Sequence, residues 1–292
     1  MREFNISKQL TWCDGCGNYG ITTAFRFALN ESGLTHNDTL LCFDIGCNGN
    51  LSDKIEGYKA HTLHGRVLPI ATGAKLARKD LNVIALAGDG ATYAEGIGHF
   101  VHSIRNNYPI VFIVHDNSNY GLTTGQCSPT SYIEVPMNAN PHGNTGKVLN
   151  PLHLALTLGC EFVAQGYSGD ISSLKEIIKT AIKNTRENNS FSFVNILQTC
   201  PTYNKTDTDG KHFKTVINYT SSSYKKTSTL LQNEIHNELD LQEALKLSTE
   251  YKSFAGLLYK SSTSTTFLQK AHFDNIIANR QNEFHLESLM QT

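Results

Sequence analysis

Asp89 and Asn117 are oxygen-bearing side chains placed where a parallel sheet would use them. Asp89 lies in Gly88-Asp89-Gly90, and 26 residues separate Gly90 from Asn117. Each follows an apolar run, Val83 to Ala87 and Pro109 to Val114, of the length of a buried strand. A carboxylate ending one strand and a carboxamide ending the next would both lie at the carboxyl edge of the sheet, where ligands bind. They are hard donors suited to Mg²⁺, which takes one or two protein oxygens and completes its shell with phosphate and water. Gly88 and Gly90 allow close backbone approach to a phosphate, and the helix expected just beyond presents an anion-binding N-terminus. A plain strand–turn–helix can also carry GDG; the companion Asn117, one crossover away, favours a ligand site.

Cysteine supplies a second chemistry. Cys13 and Cys16 lie in Thr11-Trp12-Cys13-Asp14-Gly15-Cys16-Gly17, where two thiolates on a glycine-rich loop could grip one metal or one cluster. The same pattern also occurs as half a zinc site, as a redox pair, or with no ligand. No second C-x-x-C completes a zinc ribbon. Cys47, in Gly46-Cys47-Asn48-Gly49, follows the strand candidate Leu40 to Ile45. Cys200, in Gln198-Thr199-Cys200-Pro201-Thr202, follows the strand candidate Phe191 to Leu197. With 152 residues between Cys47 and Cys200, spacing alone does not decide whether the four thiols converge. Cys42 and Cys160 sit in apolar stretches and read as core; Cys127 is a candidate lining residue of the loop after Asn117. His64-Gly65-Arg66 precedes a helix expected over Pro69 to Lys79, in which Gly73 is placed for close packing on the sheet.

These residues need a scaffold that brings strand ends together. Ile21, Ala24, Phe25, Ala28 and Leu29 mark one helix face, and Ile97, Phe100, Val101 and Ile104 another. Ile133 to Lys147, rich in Asn, Gly and Pro, reads as loop. A short helix follows over Pro151 to Leu158, then a strand over Cys160 to Ala164 and a helix marked by Leu174, Ile177, Ile178 and Ala181. This βα alternation predicts an α/β fold with a doubly wound, mostly parallel sheet. After Asn204 the composition turns polar, so the chain divides into 1–204 and a C-terminal extension, 205–292. Within the extension, 205–229 reads as a loop or extended arm, Asp240 and Glu243 as a capping box, and Phe254 to Tyr259 as an edge strand. Residues 260–292 read as a subunit-contact tail or a partly disordered terminus.

The 292 residues are 39% hydrophobic and 17% charged, with a formal net charge of −1. That supports a buried core and argues against whole-chain disorder. No basic excess points to nucleic acid or an anionic membrane surface. No apolar run reaches the roughly 18 residues of a membrane span, and the N-terminal stretch lacks the apolar region of a signal peptide. A soluble cytoplasmic protein is expected, where disulfides are rare.

GDG followed at that interval by Asn resembles the thiamine diphosphate (ThDP)–Mg²⁺ motif. The string Asp-Asn-Ser-Asn-Tyr-Gly-Leu-Thr-Thr-Gly-Gln-Cys-Ser-Pro-Thr, 116–130, is more specific. It resembles the β subunit of 2-oxoacid:ferredoxin oxidoreductases, particularly the 2-oxoglutarate type built from two kinds of subunit. The resemblance runs from about residue 8 to about residue 204, and more weakly to about residue 260. It implies a sheet of the ThDP diphosphate-domain type, with Mg²⁺ held by Asp89, Asn117 and the backbone carbonyl of Asn119. Ile45, Gly46, Cys47, Asn48, His64, Gly65, Gly88, Asp89, Gly90, Ala91, Asn117, Tyr120, Gly121 and Leu122 are implied around the cofactor. His64 is implied as a catalytic donor to the diphosphate or to a developing oxyanion; Arg66 stays open between ligand contact and structural pairing. The W-C-x-G-C-G loop, the early G-C and the C-P-T of the family match Cys13, Cys16, Cys47 and Cys200, implying a [4Fe–4S] cluster.

The implied reaction converts a 2-oxoacid (2-oxoglutarate or pyruvate), coenzyme A and oxidised ferredoxin to acyl-coenzyme A, CO₂ and reduced ferredoxin, or the reverse. The implied partners are an α subunit, which would supply the pyrimidine side of the cofactor, and ferredoxin. Asn50 departs from the pattern, because relatives often carry Lys three residues after the third cluster cysteine. An amide forfeits the charge-assisted contact to a substrate carboxylate. Two alternatives stand beside this one: a ThDP decarboxylase or synthase without redox function, and a degenerate cluster-bearing scaffold.

Overall fold

The computed structural model describes residues 3–204, 217–221, 232–249 and 254–263. Among them nine strands form one sheet: β1 Thr39–Phe43, β2 Tyr58–His61, β3 Asn82–Gly88, β4 Val111–Asp116, β5 Phe162–Tyr167, β6 Ser192–Leu197, β7 Ile217–Ser221, β8 Gln232–His236 and β9 Phe254–Lys260. Their order is β2-β1-β3-β4-β6-β5-β9-β7-β8. The first six are mutually parallel. β9 runs antiparallel to β5, with a register shift between Val163 and Ala164, and parallel to β7. The chain moves outward from β1 to β2, then returns past β1 to β3 and β4. That reversal between β1 and β3 opens a crevice at their carboxyl ends.

Side-chain alternation divides the core into two layers. Ile84, Leu86, Val111 and Ile113 face helices α1 (Asn18–Glu31) and α5 (Ile171–Asn188). Val83, Ala85, Phe112 and Val114 face α2 (Val67–Ala77), α3 (Ile97–Asn106), α4 (Pro151–Thr157) and α6 (Leu241–Ser248). Strands buried on both faces read as continuous apolar runs, which is why β3, β4 and β6 are legible. Phe100, Phe112 and Phe193 form an aromatic knot, with Phe100 and Phe193 edge to face at 4.9 Å. Helix ends follow local chemistry. Asp170 caps α5 by accepting from Ser173 N at 3.1 Å, Asn150 caps α4 with Pro151 beside it, and α3 and α5 stop where Asn107 and Asn189 turn left-handed.

The expected elements are present with shifted ends: β4 and β5 each start two residues after their apolar runs begin, and α2 starts at Val67. Some expectations are corrected. Nothing lies within 4 Å of a Cβ built on Gly73, so this glycine serves no close packing. Residues 217–221 form β7 within the span read as loop or arm; the remainder of 205–229 is outside the described residues. β9 is an interior strand, between β5 and β7, and β8 takes the edge. Asp240 caps α6 through Gln242 N and Glu243 N, but Glu243 returns its bond to Asn237 N at 3.2 Å, so the reciprocal half of a capping box is absent. Residues 264–292 lie outside the described residues.

Candidate active site

The ends of β1, β3 and β4 enclose one cleft. It is lined by Ile45 to Asn48, His64, Gly88 to Ala91, His115, Asn117, Asn119 to Thr123 and Gln198. Every residue assigned to the cofactor from sequence lies on this lining except Gly65. Asp89 is buried, and its carboxylate meets the Thr130 hydroxyl at 2.9 Å. Asn117 and Asn119 form a tight turn: Asn119 N donates to Asn117 Oδ1 at 3.2 Å, and Asn119 Nδ2 to the Asn117 carbonyl at 2.9 Å. Ser118 between them has φ +57, a left-handed position that tips the turn toward the cleft. Beyond Gly90 the chain makes a π-helical turn, Ala91–Glu95, before α3. Gly90 is needed there because a Cβ would enter the Tyr120 ring.

His64 reaches the cleft on the loop after β2. Asp44, fully buried at the end of β1, organises that loop. Its Oδ1 accepts from Ile45 N at 2.7 Å and from Gly65 N at 2.9 Å, and its Oδ2 from Val67 N at 3.4 Å. Burial raises the Asp44 pKa, while these N–H donors and His64 oppose the rise. His64 Nδ1 lies 3.6 Å from Glu95 Oε2, and Glu95 also accepts from the Tyr120 hydroxyl at 3.1 Å. Burial pushes the Tyr120 hydroxyl pKa upward, and the Glu95 charge adds to it. Arg66 donates to the carbonyls of Gly65 (3.0 Å) and Glu95 (2.8 Å), which settles it as a clamp on backbone.

The cysteine loops meet beside the cleft. Gly17 N donates to the Thr199 carbonyl at 2.9 Å, and Gln198 Nε2 reaches Cys16 Sγ at 3.5 Å, so the Cys13–Cys16 loop lies against the segment bearing Cys200. The Trp12 indole donates to the Cys47 carbonyl at 2.6 Å. The Cys47 thiol pKa is pushed up to about 12, by burial first and then by the neighbouring Cys16, Cys200 and Cys13 thiols. Burial likewise raises Cys16, with Cys200 and Cys13 adding to the rise. Thiols gathered closely enough to raise Cys16 and Cys47 suit a group bringing compensating positive charge. Among the described residues no three His, Cys, Asp or Glu close on a single ion; a cluster holds its four thiolates through separate irons. A Cβ on Gly121 would lie 3.3 Å from both Cys47 Sγ and Asn119 Oδ1. Cys47 therefore shares one wall of the cleft with Asn117 and Asn119.

The cleft also fits an organic ligand. Three buried polar atoms on its lining lack protein partners: Asn48 Nδ2, His115 Nε2 and Asn119 Oδ1. His115 is lowered to a pKa of about 3 by burial, and its Nδ1 pairs with Asn18 Oδ1 at 2.8 Å. A wider groove by Glu3, His36, Glu56 and Tyr58 has no such atom facing it. Sequence reasoning missed Asp44, Glu95, His115, Thr130 and Gln198. His115 alone carried a local signal, as a histidine between an apolar run and Asp116-Asn117. Cys127 does not line the cleft; its N–H is taken by Asn140 Oδ1 at 2.8 Å.

Residues 44–196 match the family model described as "Thiamine pyrophosphate enzyme, C-terminal TPP binding domain". A relative from Saccharolobus solfataricus, a 2-oxoacid:ferredoxin oxidoreductase subunit beta, is 37% identical over 263 residues, covering 89% of this chain and 84% of that one. The chain belongs to the 2-oxoacid:ferredoxin oxidoreductase β subunits. Within that family the 2-oxoglutarate oxidoreductase subunit KorB of Mycobacterium tuberculosis is 35% identical, over 70% of this chain and 53% of that one. A solved 2-oxoglutarate:ferredoxin oxidoreductase from Magnetococcus marinus, with 2-oxoglutarate, coenzyme A and succinyl-CoA bound, aligns at TM-score 0.82. It is 33% identical and covers 94% of this chain and 89% of that one. Like the other β subunits of these oxidoreductases, this chain is one part of an enzyme with a partner subunit, and it carries a ThDP-binding domain. Among its described residues no helix is long and apolar enough to cross a membrane.

Proposed function

We propose that this chain, joined to an α subunit, catalyses the oxidative decarboxylation of a 2-oxoacid, with 2-oxoglutarate favoured over pyruvate. A 2-oxoacid and coenzyme A become acyl-coenzyme A, CO₂ and a proton, and the electron pair leaves singly for ferredoxin; the same site serves the reverse carboxylation. The observation that carries this is the shared wall, where Cys47 Sγ and Asn119 Oδ1 approach the same glycine. A ThDP enzyme without redox function has no use for four thiols beside its cofactor.

Asp89 Oδ, Asn117 Oδ1 and the Asn119 carbonyl would hold Mg²⁺ and, through it, the diphosphate. Cys13, Cys16, Cys47 and Cys200 would hold a [4Fe–4S] cluster. Bound ThDP supplies the carbanion-stabilising chemistry that releases CO₂. The residues of this chain orient it: Asn48 Nδ2 is a donor and Asn119 Oδ1 an acceptor, each awaiting a partner in the cleft. His64, steadied by Glu95, donates toward the diphosphate or a developing oxyanion. Asn50 is half-buried in the 48–51 turn and is not among the residues lining the cleft, so a neutral hydrogen bond from it to a substrate carboxylate would be made at the margin of the site. None of the seven cysteines is in a disulfide, which leaves Cys13, Cys16, Cys47 and Cys200 available as ligands.

The test is iron and acid-labile sulfide on the anaerobically purified α/β complex, with ThDP-dependent ferredoxin reduction. About four of each per β chain, if the α subunit carries no cluster, is expected. Cys200→Ser should lose the cluster and ferredoxin reduction, and Asp89→Ala the turnover while keeping the iron. Zinc without sulfide would overturn the redox reading.

A further inference from the structure

We infer that Thr130 is a positioning residue that sets the two arms of the Mg²⁺ site against each other. The inference rests on the Mg²⁺–ThDP reading above. Asp89 follows the end of β3 and Asn117 the end of β4, so the two arms stand on separate strands. The Thr130 hydroxyl bridges these strand ends, 2.9 Å from Asp89 Oδ2 and 2.8 Å from Asp116 Oδ1. All three side chains are buried. A hydroxyl has one proton, so it donates to one carboxylate at a time while remaining in contact with both.

Thr130 is itself held to the asparagine arm. Ser131 Oγ accepts from Ser128 N at 2.8 Å and donates to the Ser118 carbonyl at 2.5 Å. Asn144 Nδ2 fixes the Ser131 carbonyl at 2.9 Å. Asp116 in turn caps the 117–119 turn by accepting from Ser118 N at 3.2 Å, and takes Asn195 Nδ2 at 3.3 Å. Asn195 Oδ1 accepts from the Tyr93 hydroxyl at 2.8 Å, and Tyr93 lies in the π-helical turn that Asp89 leads into. The hydrogen bonds thus form a ring, Asp89–Thr130–Asp116–Asn195–Tyr93, that closes through the backbone of residues 89–93. Removing the hydroxyl opens this ring at the ligand carboxylate. Outer partners of ligating carboxylates commonly change metal affinity by about 10- to 100-fold.

The experiment measures ThDP binding to the α/β complex by calorimetry at graded Mg²⁺, alongside the melting temperature without either ligand. Thr130→Val should raise the Mg²⁺ needed for half-maximal ThDP binding by about 10- to 100-fold, and Thr130→Ser should restore the wild-type requirement. An unchanged requirement in Thr130→Val overturns the inference, as does a Ser variant as impaired as the Val variant. If Thr130→Val fails to assemble, Asp116→Asn is used: it sets an amide donor against Asn195 Nδ2, so a raised Mg²⁺ requirement supports the ring and a wild-type one overturns it. Wild-type complex that binds ThDP with no Mg²⁺ requirement would refute the reading the inference rests on, a result separate from a failure at Thr130.

Discussion

Replacing Asp44 tests how the cleft is built. Asp44→Ala leaves the N–H groups of Ile45, Gly65 and Val67 without their acceptor inside the protein. A buried unsatisfied donor costs about 1–3 kcal/mol, least for Val67, whose bond is longest. Removing a buried carboxylate recovers part of that cost, so a net loss of about 2–4 kcal/mol at neutral pH is expected. In a chain of this size that lowers the melting temperature by roughly 5–12 °C. Asp44→Asn keeps an oxygen for the two short bonds, both made by Oδ1, and forfeits only the one from Val67. It should stay within about 1 kcal/mol of wild type. The pH dependence has a definite sign. Burial raises the folded pKa of Asp44 above its unfolded value of about 3.9. Its favourable contribution is therefore complete below the unfolded pKa and is lost as pH rises through the folded one. Asn does not titrate, so Asp44→Asn should gain on wild type across that rise and hold its gain above it. The assays are thermal unfolding of the assembled complex from acid to neutral pH, and amide exchange over residues 62–68, where Asp44→Ala should lose protection. Equal melting of Asp44→Ala and wild type, or a gap between Asp44→Asn and wild type that runs the other way with pH, would refute the reasoning.

Gly90→Ala should push the Tyr120 ring off its place on Glu95 and weaken ThDP binding about tenfold, with overpacking costing about 1–3 kcal/mol; calorimetry and thermal unfolding read the two effects. On the proposed reading that Asn50 meets a substrate carboxylate, Asn50→Lys should replace a neutral with a charge-assisted contact and lower the KM for the 2-oxoacid by about tenfold, with kcat much less changed; steady-state kinetics against a dye acceptor decides it. Glu31→Gln cuts the ion pairs joining α1 to Lys175 and Lys179 of α5, both 2.9 Å long and solvent-exposed. It should cost under about 1 kcal/mol, and less at high salt, in denaturant unfolding.

What the sequence revealed depended on the range of the signal. Apolar runs marked β3, β4 and β6 because strands covered on both faces need no polar alternation. The cleft residues around Gly88-Asp89-Gly90 and Asn117 were legible because each motif is local and ends a strand, whereas the approach of Cys200 to the Cys13–Cys16 loop spans the whole sheet and came only from the resemblance. Asp44 left no trace: a carboxylate after Leu-Leu-Cys-Phe looks like a strand's solvent end until the Gly65 loop folds over it. Thr130 matters only through carboxylates 41 and 14 residues away in sequence. The position of β9 was missed for the same reason, since strand order is set by long-range pairing that composition does not encode.

That position bears on how the protein can be shortened or fused. β5 is buried along most of its length, and its outer backbone is taken up by β9, with Gln165 Nε2 donating to the Phe254 carbonyl at 2.6 Å. A chain cut back to residue 204 would keep every residue proposed above for ThDP and the cluster and yet expose the buried backbone edge of β5. Such an edge templates pairing with another chain. Precipitation is the expected fate of such a shortened chain, even though it retains every proposed site residue. β9 therefore covers the edge through which the sheet would otherwise pair with copies of itself.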